Sequence, residues 1–302
     1  MMSIKLPIDN KFIYEFFADN EIIKGVVVIS HGMAEHINRY KWLIKQLNAT
    51  GYHVVCADHL GHGKYINDGA APGYFSDVDD FEDVENNLIH ILDYVSHKFP
   101  DLNKILIGHS MGSWIAMGVI QRYQNIDALI LTGSSLIPKE TVLAQRRLVT
   151  FLSFLFGKKS YSKFIDRITM RKYNNIFSPN RTPNDWITRD ETSVDEYTDD
   201  PKCGFLVTNS LWYQLSNQML KVFDINKYIN SNIDLPIYLI SGDKDPVGIN
   251  GKGVKSLHEF LIQKFYKTEI NLVAGARHEV FNEINKQESF KDLIKFIDSN
   301  IE

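Results

Sequence analysis

The run Lys104-Ile105-Leu106-Ile107-Gly108-His109-Ser110-Met111-Gly112-Ser113-Trp114-Ile115-Ala116-Met117 decides how this chain folds. Ile105-Leu106-Ile107 is a short apolar run with two β-branched residues, the pattern of a buried strand. From Ser113 onward apolar residues recur at helical spacing, predicting a helix that ends near Tyr123-Gln124-Asn125. Gly-x-Ser-x-Gly at a strand-to-helix junction predicts a nucleophile elbow. The turn at Ser110 is sharp enough to strain its backbone, and glycines at 108 and 112 leave room for the neighbouring chain. Such a turn lifts the Ser110 hydroxyl above the sheet edge. It also puts the Met111 amide at the positive end of the following helix, where a developing oxyanion is stabilised.

Outward from the elbow, strands and helices alternate. Upstream, residues 12–17 alternate weakly as an early strand, 25–30 form a continuous β-branched run, 40–47 carry a helical stripe and 51–58 form another buried strand. Residues 77–83 are acidic and precede the helical stripe Val84, Leu88, Ile91, Leu92, Val95, so the acids fit a first helical turn better than a cation site. Residues 128–133 give one more strand. The rhythm stops over 136–224, where no strand is evident, and resumes with strands at 236–242 and 268–274 and helices at 254–264 and 290–297. The expected fold class is α/β, a mostly parallel sheet flanked by helices. Residues 1–135 and 225–302 make the main domain, and 136–224 form a helical cap inserted after the strand at about 128–133.

A serine alcohol is a weak nucleophile unless a base takes its proton, and a histidine serving as that base needs a carboxylate to hold its tautomer. On a nucleophile-elbow scaffold the order is Ser, then acid, then His, each past a late strand. Gly242-Asp243-Lys244-Asp245-Pro246 and Gly275-Ala276-Arg277-His278-Glu279 follow the last two strands, which makes Ser110, Asp245 and His278 the candidate triad. Asp245 is preferred to Asp243 because it lies further from the strand end and Pro246 fixes its exit, leaving Asp243 to brace the turn. A calcium loop fails, since Val247 and Val254 stand where oxygen ligands belong. Met33, after the strand at 25–30, is the candidate second oxyanion amide beside Met111. His31 fits a structural hydrogen-bonder, and no cysteine or carboxylate pattern completes a metal site around His59 and His62.

The chain has 302 residues, 44% of them hydrophobic, enough for a full core without staples. Net charge is −4 with Lys and Arg scattered, which excludes nucleic acid as the main partner. Two cysteines, Cys56 and Cys203, fit neither a disulfide framework nor a metal site and suit a reducing compartment. Met1-Met2-Ser3-Ile4-Lys5-Leu6-Pro7 carries no signal-like apolar core, and no apolar run approaches a membrane span, so a cytoplasmic protein is the expectation.

His31-Gly32-Met33-Ala34-Glu35-His36, Asp58-His59-Leu60-Gly61-His62-Gly63, Gly108-His109-Ser110-Met111-Gly112, Gly242-x-x-Asp245 and Gly275-x-x-His278, in this order, resemble the monoacylglycerol lipase/lysophospholipase-like group of α/β-hydrolases. The resemblance implies the α/β-hydrolase fold, a cap over the site, no cofactor or metal, and hydrolysis of carboxylic esters through an acyl-serine. It places 181–183 and Asp200-Pro201-x-Cys203-Gly204-Phe205 in a cap of bacterial type. It also implies that Glu35 and Arg39 lie near the glycerol end of the substrate. Tyr65 and Phe281 depart from the group, standing where a serine and, in mammalian members, a second histidine occur. The partner expected is a small ester or lipid, with transient membrane contact through the cap. The Phe151–Phe156 cluster lines an acyl tunnel, touches lipid, or packs the cap onto the main domain, and scarcity of exposed apolar patches favours packing. Acyl transfer or perhydrolysis on the same triad, and a binding protein on this scaffold, are the alternative readings. The sequence leaves acyl length, head group and oligomeric state open.

Overall fold

The computed structural model describes residues 2–5, 12–78 and 80–301. Asp79 of the acidic run and Met1, Leu6 and Pro7 of the N-terminal stretch lie outside them. Strands β1 (Met2–Lys5), β2 (Phe12–Phe16), β3 (Gly25–Ser30), β4 (Tyr52–Cys56), β5 (Asn103–His109), β6 (Ala128–Thr132), β7 (Ile237–Gly242) and β8 (Thr268–Val273) form one sheet. Their spatial order is β1-β2-β4-β3-β5-β6-β7-β8. From β4 to β8 every pairing is parallel, whereas β1 pairs with β2, and β2 with β4, antiparallel. β1 has no counterpart among the expected strands.

The parallel strands are buried on both faces because their β-branched runs alternate between two cores. Val26, Val28, Leu106, Leu129 and Leu239 join one apolar cluster; Val27, Ile29, Ile105, Ile107, Ile130 and Ile240 join the other. Helices α1 (Lys41–Ala49) and α11 (Lys286–Asn300) cover the second face, through Leu43, Leu47, Leu293 and Ile297. Helices α3 (Glu82–Lys98), α4 (Met111–Ile120) and α10 (Lys252–Leu261) cover the first, and a single turn, α2 (Lys64–Asn67), follows β4. All ten residues of α4 are buried, so the elbow feeds into the most enclosed helix of the domain.

The acidic run does start α3, with Glu82, Asp83 and Glu85 in its first turn. Glu85 does more than complement the dipole. Fully buried, it accepts from Lys221 Nζ (2.7 Å) and Gln218 Nε2 (2.8 Å), with an Arg122 nitrogen at 3.3 Å.

Between β6 and β7 the chain makes a helical excursion through α5 (Lys139–Phe156), α6 (Lys163–Ile168), α7 (Met170–Asn175), α8 (Glu191–Asp199) and α9 (Asn209–Val222). α9 buries Leu211, Leu215, Met219 and Val222 against α4 and α5. The Phe151–Phe156 cluster departs from the expected packing role. Phe151, Phe154 and Phe156 are 58%, 85% and 65% exposed, and none of them lines the cavity described below. α5 instead buries Val142 and Val149, a narrow stripe that turns the phenylalanines outward. No helix among the described residues is long and apolar enough to cross a membrane.

The glycine after the elbow is dictated by contact. A Cβ on Gly112 would sit 2.1 Å from the Ser30 carbonyl oxygen, at a backbone position in the middle of the sheet. Gly112→Ala should therefore lower stability by about 3 kcal/mol or more, since neither strand nor helix can yield. A shift in the urea midpoint followed by circular dichroism measures this, and an unchanged midpoint would contradict the packing.

Candidate active site

Ser110 sits at the C-terminal end of β5 with φ 50° and ψ −120°, a left-handed conformation that costs a non-glycine residue about 1–3 kcal/mol. Its N–H donates to the Thr132 carbonyl (2.9 Å), and its carbonyl accepts from the Ser113 N–H (2.9 Å). The β3 loop lies directly beside it, for a Cβ on Gly32 would be 3.3 Å from Ser110 Cβ. Met33 from that loop and Met111 at the first position of α4 both line the cavity that Ser110 lines.

The loops after β7 and β8 carry the other two candidates. His278 Nδ1–H donates to Asp245 Oδ2 at 2.9 Å, with both side chains buried. Asp245 also accepts from Ser241 Oγ (3.2 Å) and the Val247 N–H (2.9 Å), so its carboxylate is held on both oxygens. Asp243 has a different job: its Oδ1 accepts the Gly275 N–H at 2.8 Å and ties the two loops together. With the proton on Nδ1, the imidazole presents Nε2 as an acceptor. His278 lines the same cavity as Ser110, and its ring centre is 4.8 Å from that of His109, the residue before Ser110. Burial alone would lower the His278 pKa, but Asp245, Glu279 and Glu35 outweigh it and raise the value above the ordinary 6.5.

The remaining histidines here are neutral braces. Burial lowers His31, His62 and His109 to about 3. His31 Nδ1–H donates to the Gly32 carbonyl (2.8 Å) and its Nε2 accepts the His59 N–H (2.9 Å), which fixes the β3 loop against the β4 loop. His109 Nδ1 is hydrogen-bonded to Thr132 Oγ1 at 2.8 Å.

Glu35 and Arg39 are placed differently from one another. Glu35 lines the cavity, but one carboxylate oxygen is taken by the Gly32 N–H and by Tyr40 O–H (2.7 Å). Burial, and then the charge of Glu279, push its pKa up to about 7. Arg39 is not among the lining residues; its guanidinium is buried, paired with Glu279 Oε2 at 2.7 Å and donating to the Ser193 carbonyl at 3.2 Å. Glu279 is buried, which by itself would raise its pKa, yet the Arg39 charge and hydrogen bonds from Asn282 and Arg39 hold it below the usual carboxylate value. Glu279 and Trp186 both line the cavity, and neither has a role in the sequence reading. Glu279 stands next to His278 in the chain, a signal available from adjacency alone. Trp186 follows Pro183 in a segment with no period to read.

The cavity has a volume of about 630 Å³, within the range of small-molecule sites. Trp114, Trp186, Trp212, Leu215 and Met219 supply apolar wall. Among the described residues, one set of metal-type donors lies within 4.8 Å of one another, His36, Asp200 and Cys203. His36 Nε2–H donates to Asp200 Oδ2 at 2.8 Å, and none of the three lines the cavity.

A family model described as serine aminopeptidase, S33 (Hydrolase_4) matches residues 21–285. The chain belongs to this family. Proteins similar to it include lipases and esterases. It is 23% identical over 295 residues to a monoacylglycerol lipase of Mycolicibacterium smegmatis, covering 96% of this chain and 94% of that one. It is 25% identical to the monoglyceride lipase of Homo sapiens over 269 residues, 86% of this chain and 77% of the other. Among solved structures, a thermostable carboxyl esterase from Bacillus coagulans, in complex with glycerol, superposes with a TM-score of 0.88 at 26% identity, covering 100% of this chain and 97% of that one. The fold is that of the α/β-hydrolases.

The imidazole–carboxylate contact yields a measurable pH dependence. A histidine whose pKa is raised by a partner carries its proton at higher pH than a free one. The His278 imidazole should therefore titrate above 6.5 by NMR, and Asp245→Asn should bring it down. Titration below 6.5 in the unsubstituted protein would contradict this geometry.

Proposed function

We propose that this chain, a carboxylic ester hydrolase by its family and relatives, cleaves monoacylglycerol- or lysophospholipid-like lipids or shorter acyl esters through an acyl-serine on Ser110. The observation that carries the reading is the buried 2.9 Å contact between His278 and Asp245, at the wall of a cavity that Ser110 shares. Residues 136–224 serve as the cap over that cavity.

Nε2 of His278 accepts the Ser110 hydroxyl proton as Oγ bonds to the ester carbonyl carbon. Negative charge on the carbonyl oxygen is met by the amides of Met33 and Met111, the second at the positive end of α4. The C–O bond to the alcohol then breaks, and His278 returns its proton to the leaving oxygen. Water repeats the sequence on the acyl-serine, giving up its proton to His278 and releasing acid and Ser110.

An ester suits this cavity better than a peptide with a free amino terminus. The three carboxylates that line it, Glu35, Asp166 and Glu279, are each engaged by the protein. Asp166 pairs with Arg171 at 3.0 Å and Glu279 with Arg39. None is left to neutralise a substrate ammonium, whereas the tryptophan and aliphatic wall matches an acyl chain.

The outer cap fits a lipid surface. Phe151, Phe154, Leu155, Phe156, Phe164, Ile168 and Ile176 are exposed in consecutive elements, and Ile168 and Ile176 also line the cavity. Residues 139–176 hold nine Lys and Arg against two acids in a chain of net charge −4, which suits an anionic interface.

Ser110→Ala should cut turnover of a p-nitrophenyl ester by on the order of a million-fold with the melting curve intact, and a fluorophosphonate should label only the unsubstituted protein. Residual labelling of the alanine variant would place the nucleophile elsewhere. Phe154→Glu with Phe156→Glu should abolish co-sedimentation with phosphatidylglycerol vesicles and leave hydrolysis of a soluble short-chain ester unchanged. Equal sedimentation of both proteins would remove the lipid-surface reading.

A further inference from the structure

Residues 185–189 of the cap are joined to the loop that carries His278. The Glu279 N–H donates to the Ile187 carbonyl at 2.7 Å, and Thr188 Oγ1 donates to the Asn282 carbonyl at 3.0 Å. The Arg277 guanidinium reaches the carbonyls of Asp185 and Thr188. Arg189 donates from its N–H to Glu283 Oε1 (3.1 Å), from Nε to Glu283 Oε2 (2.9 Å) and from Nη2 to Asn285 Oδ1 (2.9 Å). Glu283, fully buried, also accepts the Arg277 N–H at 2.8 Å. Two segments about ninety residues apart are thus joined by one backbone–backbone hydrogen bond and a set of bonds through Thr188, Arg189, Arg277 and Glu283.

The join delivers one side chain to the imidazole. The Trp186 ring centre lies 5.0 Å from that of His278 with 33° between the planes. Tyr173 of α7 packs on the Trp186 ring at 5.6 Å, so the indole lies between Tyr173 and His278. The Trp186 backbone N–H donates to Asn174 Oδ1 at 3.1 Å, and buried Asn174 donates to the Thr182 carbonyl (2.8 Å), which fixes the backbone that carries the indole. Asp245 fixes His278 through Nδ1, which leaves rotation about that bond to be limited by what packs on the ring.

We propose that Trp186 is a positioning residue for His278, holding the plane of the imidazole from the cap and stabilising the imidazolium that forms when Ser110 gives up its proton. The inference rests on the reading of His278 as the base. An indole face is the strongest neutral aromatic partner for a cation, ahead of a phenyl ring, and an aliphatic side chain offers none. Phe and Leu at this position are alike in apolarity and close in size, so their difference isolates the aromatic face from any change in water access.

The test uses Trp186→Phe and Trp186→Leu with a short p-nitrophenyl ester, together with NMR titration of the His278 imidazole in a Ser110→Ala background. Expected is a kcat loss on the order of ten- to a hundred-fold in Trp186→Leu with KM within about threefold, and a smaller loss in Trp186→Phe. The acid limb and the imidazole titration should both fall from Trp to Phe to Leu, the last step by about half a unit. Should Trp186→Leu fail to fold, the Trp-to-Phe step still has to move in the same direction. A loss confined to KM for long-chain esters, with the imidazole titration unmoved, would make Trp186 only a wall of the acyl cavity and overturn the proposal. Failure of the underlying reading looks different: fluorophosphonate would not label Ser110 in the unsubstituted protein, whatever the titrations show.

Discussion

A serine held at φ 50° is unstable by itself, and the structure around Ser110 is organised to hold it there. β5 lies inside the sheet with β3 and β6 as neighbours, so its end cannot relax sideways. The Thr132 carbonyl from β6 takes the Ser110 N–H, and Gly112 presses against the Ser30 carbonyl of β3. α4 then buries every residue it has. Because β3, β5, β6, β7 and β8 are parallel, their C-terminal ends share one edge, and the loops bearing Met33, Ser110, Asp245 and His278 meet there without any long connection.

Electrostatics at that edge are set by subtraction as much as by placement. Burial keeps His31, His62 and His109 neutral, so no positive charge competes with an imidazolium at His278. Of the two acids facing each other below the cavity, Glu279 takes the charge because Arg39 lies against it, and Glu35 is the one driven toward its protonated form. The residual field at His278 is negative, which favours its protonated state.

The excursion between β6 and β7 divides its work. Its inner segment is bonded to the histidine loop and forms cavity wall, while α9 buries ten of its fourteen residues. Its outer helices expose phenylalanines in a segment rich in Lys and Arg. One stretch of chain thus meets both the histidine loop and the exterior, and residues of it line the cavity.

Much of this was legible from residue order. Continuous β-branched runs specify strands covered on both sides, and two glycines around a serine specify a turn too tight for any Cβ, because both signals are local consequences of sterics and burial. The order of Ser110, the carboxylate loop and His278 followed from strand rhythm in the same way. Periodicity records that a face is buried but not what covers it. Asp243 and Asp245 share one loop two residues apart; the longer reach from the strand end already favoured Asp245, and the fold turns it toward the imidazole and Asp243 toward Gly275. Phe151–Phe156 has the composition of a packed helix end and is exposed, since the stripe α5 buries lies at Val142 and Val149. The pairing of Arg39 with Glu279, Glu85 with Lys221, and Trp186 with His278 joins residues tens to hundreds of positions apart. Sequence by itself determined the parallel strands, the elbow and the candidate reacting groups, because those depend on neighbours within a few residues. Tertiary structure decided which aromatic face and which charge each of them meets, because such contacts exist only after distant loops arrive at one sheet edge.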